Sequence, residues 1–198
     1  MRDLNQHEIS LIRESKNGNS SSFEELVSPH YKKAFNTAYR ILGNLEDAND
    51  VAQDAIIKVF KSIGSFKENS SFSTWVYKIV VNTCIDFKRK NNKQEVIYLD
   101  KQIGEKNGGL VLEIPDKAGT PESLFEENEV KHIIHDAINE LNFEQRKIIV
   151  LRDVKGFSYK EIAEILDCSE GTVKSRISRS RNNLRKVLVS KLNEREEG

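Results

Sequence analysis

The side chains best suited to chemistry are cations set among short hydroxyls near the end of the chain. Residues 171–191 hold Lys174, Arg176, Arg179, Arg181, Arg185, Lys186 and Lys191 with no acid, a local charge of +7. At about 100° per residue, Val173, Ile177, Leu184 and Leu188 fall within an arc of about 60°, which makes them the buried stripe of a helix. The opposite face then carries Ser175, Ser178, Arg179 and Asn182, flanked by Lys174, Arg181 and Arg185. Short hydroxyls let such a helix approach base edges, Arg179 can donate two hydrogen bonds to a guanine, and the flanking cations reach phosphates. A solvated basic helix in an ordinary bundle is the plain alternative, and the preceding elements decide between them.

Two further constellations have different polarity. Trp75 and Tyr77 are interleaved with Lys78, Asn82, Lys88, Arg89 and Lys90, behind a short polar loop bounded by Phe66 and Phe72, and residues 74–93 carry +4. Aromatic rings beside cations are how proteins hold unstacked bases. Trp75 itself reads first as a core residue, whereas the loop and Asn82 read as a contact for an extruded base. Residues 44–54, by contrast, hold Glu46, Asp47, Asp50 and Asp54 and no base. Asp50, Gln53, Asp54 and Ile57 recur at three and four residues, so they share one helix face. Such a stripe repels DNA and suits a basic protein partner, or else is simply a solvated face. The chain as a whole has 31 basic and 31 acidic residues, so opposite fields lie on different segments, as suits different partners. Catalysis is not expected. No Gly-rich phosphate cradle or local Ser/His/Asp signature occurs, His132 and His135 lack a third ligand at a telling spacing, and Cys84 and Cys168 form no Cys-x-x-Cys pair. No metal or other cofactor is implied.

The elements that must position these residues read as helices. An all-α fold is expected, made of two small helical domains joined by a flexible acidic linker. A short helix near 7–17 closes at Gly18 within an N-terminal extension, 1–22. In the first domain, 23–93, Ser22-Phe23-Glu24-Glu25 reads as a capping box opening a helix that Gly43 ends. Helices follow over about 46–62, with Val51, Ala55 and Val59 inward, and over about 73–90, burying Trp75, Ile79 and Ile85. Residues 94–127 carry four glycines, two of the three prolines and a net charge of −5. As a coil of that length they average about 30 Å end to end and reach about 110 Å, so the domains can sit far apart. In the second domain, 128–192, helices are expected over 129–141 and 144–153. Ser158-Tyr159-Lys160-Glu161 is a second capping box, Asp167-Cys168-Ser169 a break, and Ser169 the cap of a last helix to about Leu188. Two helices with a tight turn and cations on the second form a DNA-binding helix-turn-helix.

Asp50-Val51-Ala52-Gln53-Asp54, Phe72-Ser73-Thr74-Trp75-Val76-Tyr77-Lys78-Ile79, Asn82-Thr83, Phe157 to Ala163 and Gly171-Thr172-Val173-Lys174-Ser175-Arg176 together resemble the extracytoplasmic-function sigma factors, group 4 of the bacterial sigma-70 family. The resemblance spans about 23–93 and 128–190. It implies a dissociable RNA polymerase subunit that selects promoters and promotes strand opening. By resemblance, Asp50, Val51, Gln53 and Asp54 dock on the clamp helices of the largest core polymerase subunit. Phe66, Phe72, Ser73, Trp75, Lys78 and Asn82 belong to the surface that takes the minus-ten element and its melted non-template strand. Lys174, Ser175, Ser178 and Arg179 read the duplex minus-thirty-five element, with Arg152 nearby. Elements about 17 base pairs apart lie about 58 Å apart at about 3.4 Å per pair, within the linker's reach. An anti-sigma partner is also implied.

The rival reading is a stand-alone homodimeric regulator that binds duplex DNA through its helix-turn-helix. It has no use for the acidic stripe or the aromatic loop. No run approaches a membrane span and the N-terminus lacks an apolar signal core, so a cytoplasmic bacterial protein with no direct membrane insertion is expected.

Overall fold

A computed structural model describes residues 6–95 and 121–196, and every described element is helical. In chain order they are α1 (Gln6–Lys16), α2 (Ser20–Leu42), α3 (Leu45–Ser62), a 3-10 turn (Ile63–Ser65), α4 (Phe72–Glu95), α5 (Pro121–Glu140), α6 (Phe143–Ile149), a π-helical turn (Val150–Val154), α7 (Tyr159–Leu166) and α8 (Glu170–Glu196).

Local chemistry sets most of the boundaries. Asn44, Asn142 and Ser158 cap their helices by accepting a hydrogen bond from the backbone N–H three residues on. The cap of α2 is Asn19, which accepts from the Ser22 N–H at 3.1 Å. Ser22 therefore lies inside the helix, and its hydroxyl donates to Glu14 at 2.5 Å instead of closing a capping box. Gly43 ends α2 at φ +79°, donating its N–H to the Tyr39 carbonyl, a left-handed conformation that suits glycine. The expected linker is shorter at its far end, because α5 already begins at Pro121. Proline is pre-set for a first helical position, where its missing N–H costs nothing. The rest of the linker, 96–120, lies outside the described residues.

Two apolar clusters organise the molecule. One belongs to α1–α4 alone and includes Leu11, Ile12, Phe23, Leu26, Val59, Phe66, Phe72, Val76 and Val80. The other crosses between the modules: Ala38, Tyr39, Ile41, Ala48, Val51, Tyr77, Val81 and Cys84 are continuous with Leu141, Ile148 to Leu151, Phe157, Ile162, Ile165, Val173 and Ile177. The two modules are thus packed on each other. This corrects the expected inward face of α4. Trp75, Ile79 and Ile85 are half-buried, whereas Val76, Val80, Val81 and Cys84 are buried, because the helix is covered by α2 and α3 on one side and by α7 on another. Burial pushes the Cys84 thiol up to about 12, so at neutral pH it is protonated and unreactive.

Polar contacts cross the seam as well. The Tyr77 and Phe157 rings meet edge to face at 4.9 Å, and Tyr39 stacks on His135 at 5.6 Å. Arg146 donates to the Ile41 carbonyl at 3.5 Å, to the Leu141 carbonyl at 3.1 Å and to the Asn139 carbonyl. One guanidinium thereby serves the C-terminal ends of α2 and α5, where helix carbonyls are left unpaired. A Cβ on Gly43 would meet Arg146 Nη1 at 2.7 Å, so glycine here serves both the turn and the close approach.

Candidate functional site

The helix-turn-helix is built as its sequence dictates. Ser158 and Glu161 form the reciprocal box: the Glu161 N–H donates to the Ser158 hydroxyl at 3.2 Å and Ser158 N–H donates to the Glu161 carboxylate at 2.8 Å. Asp167 then takes a left-handed conformation, φ +50°, which breaks the chain between helices. Ser169 accepts from the Thr172 N–H at 3.2 Å and opens α8. Val173 and Ile177 are buried under α8, and so is Ser180. Apolar spacing does not reveal Ser180, because a small hydroxyl fills an inward position.

Outward, Lys174, Ser175, Ser178 and Arg179 are all exposed on one face. The Ser175 hydroxyl donates to the Thr172 carbonyl at 2.9 Å, leaving its lone pairs outward. Two flanking cations are already engaged. Arg181 pairs with Asp153, which raises its pKa. Arg152 is half-buried, donating to the Phe157 carbonyl at 2.7 Å while its guanidinium lies 5.0 Å from the Tyr159 ring centre. Arg152 therefore holds the segment that enters α7.

In the first module the expected base-contacting residues divide. Phe66 and Phe72 are buried and form a ring cluster with Trp75, with centroids 5.1 to 5.8 Å apart. Their rings are the floor of the loop. Lys16 pins that loop from α1, pairing with Glu68 at 2.7 Å and lying 5.6 Å from the Phe66 ring centre, and the Ser71 hydroxyl accepts from the Thr74 N–H at 3.0 Å to open α4. Ser73, Trp75 and Lys78 are half-buried and Asn82 is exposed. By helical spacing Trp75, Lys78, Asn82 and Arg89 share one face of α4, which lies beside the seam.

On α3, Asp50, Gln53 and Asp54 are exposed. Val51 is buried in the shared core, which removes it from that contact surface as packed. Ile57 and Phe60 continue the stripe at 50% and 51% exposure. Phe60 was missed from sequence, although its place three residues beyond Ile57 could have found it. Asp47, at the head of the stripe, has its carboxyl raised by burial and then by Asp50 and Glu46, with Lys88 opposing. Among the described residues no cluster of three metal-ligating side chains occurs, and no helix is long and apolar enough to cross a membrane.

Comparison with known proteins covers both modules. Residues 26–94 match the family described as Sigma-70 region 2, and residues 131–184 match Sigma-70, region 4. The chain is 37% identical over 178 residues to the ECF RNA polymerase sigma factor SigW of Bacillus subtilis, covering 89% of this chain and 94% of that one. It is 34% identical to the ECF RNA polymerase sigma-E factor of Escherichia coli K12, covering 86% and 88%. Among solved structures it is similar to the sigma factor RpoE of Bartonella quintana bound to the anti-sigma factor NepR, with TM-score 0.66, 26% identity and 84% and 96% of the chains covered. The fold is also that of CnrH in complex with the cytosolic domain of CnrY, with TM-score 0.62, 23% identity and 93% and 98% covered.

Proposed function

This chain belongs to the extracytoplasmic-function RNA polymerase sigma factors, and from that premise we propose how its surfaces divide the work of an alternative sigma factor. Asp50, Gln53 and Asp54 dock core polymerase through the clamp helices of its largest subunit. Ser73, Trp75, Lys78 and Asn82 take the minus-ten element, with Phe66 and Phe72 supporting them from below. Lys174, Ser175, Ser178 and Arg179 read the minus-thirty-five element. The first module is region 2, 23–93, and the second is region 4, 128–192, following an N-terminal helical extension, 1–22. The chain acts as a group 4 factor in the bacterial cytoplasm, is not itself an enzyme, and is held inactive by an anti-sigma protein, as its similarity to RpoE in the NepR complex supports.

The observation that carries this reading is the segregation of the two exposed faces. The basic contact face of α8 and the acidic stripe of α3 are both open to solvent on different modules, one suited to DNA and the other to a basic protein surface. Opening a promoter costs a few kcal/mol per extruded base, which capture of that base must offset, with stacking contributing about 1–3 kcal/mol. Reading two elements at once also requires the packed modules to separate. Run-off transcription with core polymerase over a library of promoter variants tests the whole: position-specific initiation that depends on this chain supports it. Identical start sites with and without the chain would overturn it.

A further inference from the structure

Among the described residues, three cations at the seam between the modules, half-buried Arg40 and Lys155 and exposed Lys33, have no acid paired with them. On α2, Lys33 and Arg40 lie seven residues apart, two turns along one face and about 10 Å in rise. Thr37 stands between them, donating its hydroxyl to the Lys33 carbonyl at 2.7 Å and hydrogen-bonding with Tyr77 of α4. From the second module, Lys155 follows the π-helical turn and sets its Nζ 5.9 Å from the centre of the same Tyr77 ring. The charges that act on Lys155 are those of Arg40 and Lys33, both of its own sign.

Arg40 and Lys155 are half-buried. Burial, followed by these two like charges, brings the Lys155 ammonium down to about 8, and burial lowers Arg40 also. Among the described residues no hydrogen bond or ion pair engages the side chains of Lys33, Arg40 or Lys155, while acids of the second module are committed elsewhere: Asp153 to Arg181, Glu144 to Lys147 and Glu140 to Lys191. A partly desolvated guanidinium and ammonium of like charge on the two sides of one seam are costly unless an anion joins them. The planar fork of an arginine beside lysine point charges suits the oxygens of a phosphate group.

We infer that Lys33, Arg40 and Lys155 form a site for a phosphate group, and that an anion held there ties the two modules together. Since Lys33 and Arg40 come from one module and Lys155 from the other, the complete site exists only while they are packed. Occupancy therefore favours the packed arrangement by mass action.

Titration calorimetry on the full chain, at ionic strength fixed with chloride, tests this with two probes, inorganic phosphate and a magnesium-free nucleoside triphosphate. Saturable binding of either at one site per chain is expected, together with a smaller radius of gyration in solution scattering. The relative affinity of the two probes tells whether a free or a nucleotide-borne phosphate is preferred. Arg40→Gln and Lys155→Gln should each weaken binding at least about tenfold, about 1.4 kcal/mol. Lys61→Gln, an exposed cation on α3, makes the same change in net charge and should leave binding intact. Circular dichroism confirms that each variant is folded. Non-saturating uptake of both probes, or equal weakening by Lys61→Gln, overturns the inference, and so does binding with no change in radius. None of these readouts depends on transcription, so they can fail without touching the promoter assignment.

Discussion

The two surfaces proposed to take nucleic acid differ in how finished they are. On α8 the contact face is complete as it stands, with Lys174, Ser175, Ser178 and Arg179 exposed on a helix fixed by two buried aliphatics and a capped turn. On α4 the polar members Asn82 and Lys78 reach solvent, but the rings of Phe66 and Phe72 lie in the core. A duplex presents its base edges without distortion, so a rigid helix can read it. An unpaired base has to be extruded first, and a site for it gains from rings that brace a pinned loop. The first surface is preformed for recognition, and the second is a supported platform beside a seam.

That contrast predicts its largest effect at Phe72. Truncating this fully buried ring to alanine should destabilise the first module by about 3–5 kcal/mol, read as a large fall in the thermal midpoint. If Phe72 instead served mainly to stack a base, the midpoint would hold and only promoter opening would suffer. Asn82→Ala is the complementary change. It should leave the midpoint unchanged and impair open-complex formation more than closed-complex binding; equal defects in both would count against a melting role.

The preformed surface predicts a change of another kind. Arg179→Ala removes an exposed guanidinium with no partner among the described residues, so stability should stay constant while discrimination at one upstream base pair falls by about 1–3 kcal/mol, measured by competition binding over single-base variants. Loss of core-polymerase affinity would contradict the division of labour between modules. A smaller loss should follow Ser158→Ala, which opens the capping box and costs about 1 kcal/mol of stability, displacing α7 and weakening all upstream sequences alike.

Helical spacing made both outward faces readable from sequence. Once Val173 and Ile177 are inward, Ser175, Ser178 and Arg179 must point out, and the same argument exposes Asp50, Gln53 and Asp54. Ser158-x-x-Glu161 was legible because both halves of the box are local. The spacing that located the Ser22 box was misleading, since Asn19 competes for the same N–H groups one turn earlier. What failed more broadly was non-local. Periodicity shows that α4 has apolar faces, but it cannot say that Tyr77, Val81 and Cys84 meet a second module 60 or more residues away. Val51, inward by periodicity yet part of the docking motif by resemblance, and Phe72 show the same limit: in a motif, a residue under a surface and one on it look alike. Pro121, read as linker composition, was in fact a helix start.

The smallest predicted effect concerns the seam itself and is read through pH. His135 of α5 stacks on Tyr39, and its Nε2 is buried without a hydrogen-bond partner among the described residues. Burial pulls its pKa down; Asp136 opposes this by charge and hydrogen bond, while Arg40 across the seam and His132 on α5 add to it. Separation of the modules would return the ring toward its ordinary value of about 6.5. The separated form therefore takes up the proton first as pH falls, and packing weakens progressively from about 6.5 downward. Lys155 acts in the same sense at higher pH, because packing holds its ammonium near 8 against an ordinary value of about 10.4. Its penalty on the packed state is full below that lower value and is relieved as pH rises. Solution scattering without phosphate should show the radius of gyration growing on acidification, with the step near the imidazole range flattened by His135→Gln. A radius that shrinks as pH falls would mean that Asp136, not burial, governs the ring, and that the seam closes on the charged form.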